Sequence, residues 1–170
     1  MPVLDILTYP NPILKKRSSE VENIDDNVLE LLNNMAETMY KAPGVGLAAP
    51  QVGYSMRVIV VDVEHNDEGE KNLIEIINPV ITNSKGSVKS EEACLSIPGF
   101  TAEIMRKAEI VVEGINRKGK DISVEAKDLL SRVIQHEIDH LDGVLFIDRL
   151  SRLQRELMRK KVKRAFSNRS

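Results

Sequence analysis

The chain has 170 residues, 42% of them hydrophobic and 29% charged, with a formal net charge of −2. That length and balance suit one folded domain with a buried core and exclude a disordered or fibrous chain. No run of about 18 apolar residues is present to span a bilayer, and the start lacks the basic and apolar regions of a secretory signal.

The only cysteine, Cys94, excludes an internal disulfide framework and fits a reducing, cytoplasmic setting. Charge is uneven along the chain. Residues 149–170 hold nine basic residues and one acid, Glu156, and that +8 leaves −10 for the rest of a chain whose net is −2. Such a segment either meets a polyanion or forms a solvated basic helix face. No repeat or low-complexity linker divides the sequence, so residues 1–170 read as a single domain.

Residues 25–42, DDNVLELLNNMAETMYKA, place Val28, Leu31, Leu32, Met35 and Met39 on one face of a helix. Asp25 or Asp26 caps its start and Pro43-Gly44 ends it. A small-residue loop, GVGLAAPQVG, leads into MRVIVVDV, a β-branched run expected as a buried strand. NLIEIINPVI (72–81) and AEIVVEGIN (108–116) are further strands, the latter pairing with DISVEA (121–126) across a turn at 117–120. In EEACLSIPG (91–99) a polar stretch gives way to apolar residues and then a Pro-Gly turn.

From Asp128 the pattern is again helical, with Leu129, Val133, His136 and His140 at steps of four, three and four and Gly143 as the C-terminal cap. A last amphipathic helix runs from about Asp148 to Phe166, with Leu150, Leu153 and Leu157 expected to face inward. The expected class is α+β: mixed or antiparallel sheets packed around a central metal-binding helix, with an N-terminal and a C-terminal helix.

The chemistry concentrates in QHEIDHLDGVLF (135–146). His136 and His140, four apart on a helix, can hold one metal ion between them, with Glu137 beside it as a general base. Two histidines of an ordinary buried helix are the plainer alternative. A metzincin would place its third ligand ten residues past His136, where Phe146 stands. A catalytic ion of this kind takes three protein ligands and leaves a position for water. Three residues are candidates for the third. His65 lies in the polar stretch VEHNDEGEKN and is expected to be exposed; Glu156 sits among arginines; Cys94 is the third. A lone cysteine is commonly a small buried hydrophobe. Beside an incomplete two-histidine site it is the favoured ligand, and a thiolate suits zinc or ferrous iron. Leu129 and Val133, seven and three residues before His136, lie on the metal-facing side, where they either wall a pocket suited to an unbranched apolar side chain or simply fill the core.

GVGLAAPQ (44–51), EEACLS (91–96) and QHEIDHLDG (135–143) together resemble the three signature motifs of the peptide deformylases, in that family's order. The likeness extends over essentially the whole chain, including LDILTYPNPIL (4–14), and the long C-terminal helix resembles the bacterial type. The resemblance implies hydrolysis of the N-formyl group of N-formylmethionyl nascent polypeptides by a metal-bound water, with release of formate. It implies Cys94, His136 and His140 as ligands and Glu137 as general base and then acid. Gln51 and the backbone N–H of Leu95 would be the oxyanion donors. Gly44, Val45 and Gly46 would pair with the substrate backbone, and Glu92 and Arg132 would also border the substrate, Glu92 pairing with Arg106 to brace the Cys94 strand. The implied ion is Fe(2+), with Zn(2+), Ni(2+) or Co(2+) as substitutes. The implied partners are formylmethionyl peptides and, through the basic helix, the ribosome, with no membrane or DNA. One departure is visible: Ala93 stands where most bacterial members have glycine, which bears on the cleft wall. Two other functions compete, a metallopeptidase using Glu156 or His65 and a non-catalytic, metal-stabilised ribosome-binding module.

Overall fold

The computed structural model describes residues 3–167; Arg169, at the end of the basic segment, lies outside the described residues. The first helix, α1 (Asp26–Lys41), opens on Asp25, whose side chain accepts the Val28 N–H and satisfies one donor that a helix start leaves free. Val28, Leu31, Leu32, Met35 and Met39 are all buried along the predicted face.

The segment read as a small-residue loop is more regular than its composition suggests. Gly46–Ala48 is a short strand, β1, and Ala49–Val52 a 3-10 turn, all of it buried. The next strand, β2 (Val58–Val61), is buried at every residue because it is covered on both faces. Alternate side chains of a strand point to opposite sides. Val58 and Val60 therefore meet α1, while Ile59 and Val61 meet a second helix, α2 (Asp128–Leu141).

Strand β3 (Ile74–Lys85) is followed by a separate hairpin of β4 (Val88–Cys94) and β5 (Ile97–Arg106), and then by β6 (Glu109–Ile115) and β7 (Asp121–Lys127). The larger sheet has the order β1-β2-β3-β6-β7, and every strand pairing in both sheets is antiparallel. The expected β6–β7 pairing forms, with Ile115 opposite Asp121. The expected Pro98-Gly99 turn is not one. The chain reverses at Leu95 and Ser96, and Pro98 and Gly99 lie inside β5. Gly99, at φ 86°, instead sits where the register shifts from Ala93 opposite Thr101 to Cys94 opposite Ile97.

Helix α2 ends as its glycine requires. Gly143 has φ 75°, its N–H donates to His140 O, and the Val144 N–H donates to Asp139 O, the bond pair of a Schellman end. A Cβ at Gly143 would also fall 2.5 Å from Lys15 O.

The last helix differs from expectation. Phe146–Arg149 is a 3-10 turn, Leu150 is extended, and α3 spans Arg152–Ser167. Leu153 and Leu157 are exposed, 69% and 52%, rather than facing inward. The stripe that packs is Met158, Val162 and Phe166. Leu150 does pack inward, but it lies in the extended link before α3, so Leu153 and Leu157 on the helix do not share its side. Among the described residues no helix is long and apolar enough to cross a membrane.

Candidate active site

Helix α2 carries His136, Glu137 and His140, and Cys94 ends β4 beside them. Cys94 Sγ lies 3.3 Å from His140 Nε2, which lies 3.2 Å from His136 Nε2. The three ligand atoms are within 4.8 Å of one another. Zinc-type bonds of about 2.0–2.3 Å at tetrahedral angles put ligand atoms roughly 3.3–3.6 Å apart, so the residues fit one divalent ion. The other two candidates are elsewhere. Glu156 is exposed on α3 and pairs with Arg152 at 3.7 Å. His65, expected to be exposed, is half-buried and bonds Gly44 O at 2.7 Å. The polar sequence around it hid a ring that docks on Tyr40.

The ligands are held from behind. Glu92 Oε1 lies 2.9 Å from His136 Nδ1, which leaves Nε2 turned to the ligand cluster. Arg106 donates to both oxygens of Glu92 at 2.8 and 2.9 Å, and its third contact is Asp139 Oδ2 at 2.6 Å. Arg149 closes the chain on Asp139 at 2.5 and 3.0 Å. The Glu92–Arg106 pair is thus buried rather than a surface contact. Asp139 and Arg149 were not singled out from the sequence; the one available signal was Asp139's place inside HEIDH. Phe146, where a metzincin ligand would stand, stacks on the His136 ring with centroids 6.2 Å apart.

Burial alone would raise the Glu92 pKa, but the hydrogen bonds from Arg106 and His136 hold it at about 2. Burial pushes the Glu137 carboxyl up to about 7, against the pull of His136 and Arg106. Burial favours neutral rings at both histidines. It prevails at His140, which also faces His136 and is driven well below the ordinary value; at His136 the Cys94 and Glu92 contacts override it and raise the pKa.

Gln51 Oε1 accepts the Ala48 N–H at 2.9 Å, which turns its amide nitrogen toward Ser96 Oγ at 3.1 Å and Cys94 Sγ at 3.7 Å. Gly46 has to be glycine for contact with α2: a Cβ there would lie 2.6 Å from Glu137 Oε2 and 2.7 Å from Val133 Cγ1. All of the residues expected at the site except His140 line one cleft of about 400 Å³, and His140 is buried behind it. Leu129, Val133 and Ala93 form part of its wall.

A buried thiol and two imidazoles close enough together to hold one ion, with a buried carboxyl alongside, define a metal-dependent hydrolase centre. Known proteins carry the assignment further. The profile of the Polypeptide deformylase family matches residues 3–156. A peptide deformylase of Thermodesulfovibrio yellowstonii is 52% identical over 163 residues, covering 96% of this chain and 98% of that protein. The crystal structure of a peptide deformylase from Legionella pneumophila is similar with a TM-score of 0.90 at 39% identity, covering 99% of this chain and 98% of that one. The peptide deformylase from Ehrlichia chaffeensis in complex with actinonin is similar with a TM-score of 0.89 at 39% identity, over 97% and 98% of the two chains. The chain belongs to the peptide deformylase family, metallo-hydrolases that remove the formyl group from nascent peptides.

Proposed function

We propose that this chain hydrolyses N-formylmethionyl peptides with Cys94, His136 and His140 holding the metal and Glu137 moving the proton. The observation that carries the reading is Glu137 itself. Its carboxyl is buried next to a ligand histidine, Oε1 has no hydrogen-bond partner among the described residues, and its pKa stands at about 7. Cys94, His136 and His140 would hold a divalent ion, Fe(2+) in the cell by this reading and replaceable by Zn(2+), Ni(2+) or Co(2+), which would supply Lewis acidity toward the formyl carbonyl and water. Glu137 accepts the proton of the attacking water and delivers it to the departing amine, two roles that a carboxyl poised near neutrality can serve in turn.

Gln51 and the backbone N–H of Leu95 donate to the formyl oxygen as it gains charge. The Gln51 amide nitrogen is a donor at every pH, and its orientation is fixed in advance through Ala48. Leu129 and Val133 accommodate the methionine side chain, and Gly44, Val45 and Gly46 pair with the peptide backbone. Glu92 has both oxygens committed, so it serves by orienting His136. Arg132 lines the cleft and suits contact with the peptide beyond methionine. Lys160, Lys161, Lys163 and Arg164 are exposed on α3 and suit contact with ribosomal RNA in the cytoplasm, an attraction that salt weakens steeply.

The test is formate release from a formyl-Met tripeptide by anaerobically prepared protein, alongside metal analysis. Wild type releases formate and binds one ion, and Cys94→Ser loses that ion. Retention of the ion by Cys94→Ser would contradict Cys94 as a ligand.

A further inference from the structure

Strand β1 is the edge of the five-stranded sheet and borders the cleft. In an antiparallel ladder, hydrogen-bonded pairs alternate with pairs whose N–H and C=O groups point away from the partner. The Asp62 N–H donates to Val45 O at 2.9 Å and Leu47 stands opposite Val60, so Gly46, between them, turns its amide and carbonyl outward. Ala48 shares that parity, and its outward N–H is taken by Gln51. Gly46 therefore carries the edge groups left for an incoming peptide strand.

The segment bearing this edge is short and has glycines at 44 and 46, so its own sequence does little to hold it in one conformation. It is held from outside. The Gly44 N–H donates to Met39 O at the end of α1, at 2.7 Å. The Gly44 carbonyl accepts from His65 Nε2, also at 2.7 Å. The His65 ring stands edge-on to Tyr40, with centroids 5.1 Å apart and planes at 82°. The Tyr40 hydroxyl donates to Asp62 Oδ2 at 2.7 Å, and the fully buried Asp62 also accepts the Glu64 and Asn72 N–H groups at 3.0 and 2.8 Å. The loop between β2 and β3 is thus tied to α1 and to the cleft edge at once.

We infer that His65 is a positioning residue for the substrate-pairing edge, fixing Gly44 so that Gly46 meets the peptide backbone already ordered. His65 neither joins the ligand cluster nor lines the cleft, so it acts through Gly44. The inference rests on the substrate reading above. Its effect falls on the binding of peptides long enough to pair along the edge, not on the chemical step.

The test compares metal-loaded full-length wild type, His65→Ala and His65→Gln on N-formyl-Met-Ala-Ser and on N-formylmethioninamide, which has no residue beyond methionine. Exchange of the Gly44 amide, which is bonded to Met39 O, is measured in the same proteins without substrate. His65→Ala is expected to raise KM for the tripeptide about twofold to tenfold, the span of one neutral hydrogen bond. Its kcat and its activity on the short substrate stay within about twofold of wild type. Gly44 exchange accelerates, and His65→Gln, which keeps a side-chain N–H donor, restores both readouts. Unchanged KM and exchange in His65→Ala overturn the inference, as does an equal loss on both substrates or a failure of His65→Gln to restore either readout. A wild type that releases no formate refutes the functional reading instead, and the exchange measurement then still decides whether His65 orders the edge.

Discussion

Replacing Arg106 with leucine removes the cation on which the back of the metal site converges. Arg106 is 5% exposed and bonds Glu92 twice and Asp139 once, and the side chains of these two acids are 9% and 8% exposed. Leucine keeps part of the apolar stem but leaves Glu92 facing only His136, while Asp139 retains Arg149. Breaking a buried ion pair typically costs about 3–5 kcal/mol, and the surviving Arg149 contact places this variant near the lower end, at about 3 kcal/mol. Denaturant unfolding of metal-free protein at pH 7 measures the loss without the added stability that a bound ion brings. Arg106→Lys keeps the charge but not the two-pronged contact and should recover only part of it. Because Glu92 orients His136, metal affinity should also fall by about 10–100-fold, read by competition with a chelator. Glu92 has a depressed folded pKa of about 2, so its contribution is present above the ordinary glutamate value and lost as pH falls toward 2; the variant should show a flatter acid limb. A loss below about 1 kcal/mol with unchanged metal affinity would refute the reasoning.

Gly46→Ala forces a methyl against Glu137 and Val133, and should cost about 1–3 kcal/mol by overpacking and lower formate release through a displaced Glu137. Thermal unfolding and kcat together check it. Asp148 has its pKa lowered: burial would raise it, but Lys15, the Leu145 N–H and Arg159 outweigh that. Its stabilisation is therefore present above the ordinary aspartate value of about 3.9 and disappears as pH drops through the lower folded value. Asp148→Asn should weaken the protein at neutral pH and flatten its acid unfolding curve. Val162→Ala, at a fully buried position, should cost about 1.5–3 kcal/mol, whereas Leu157→Ser should stay within about 0.5 kcal/mol.

Periodic elements were legible from the residues alone. The α1 face, the β6–β7 hairpin and α2 with its terminal glycine follow from side-chain spacing and cap chemistry, because each is long enough for a pattern to repeat. β1 escaped because three residues cannot display a period, and its strand character comes from pairing with β2. α3 was legible as a helix but not in phase, since leucines on its exposed side look like a core stripe. At the site, the two histidines of HEIDH and Cys94 could be read as ligands and the resemblance implied the Glu92–Arg106 pair, but the rest of the support behind them could not be read. Arg106 reaches Asp139 across 33 residues, and His65 reaches Gly44 across 21, through the fold rather than along the chain.

The central claim is that Glu137 carries the proton while Cys94, His136 and His140 carry the ion. Formate release from a formyl-Met tripeptide by Glu137→Gln, with its metal content measured in the same anaerobic preparation, tests this most directly. The account predicts wild-type metal content and a loss of about 10²–10⁴-fold in turnover. Near-normal turnover with the ion bound would contradict it.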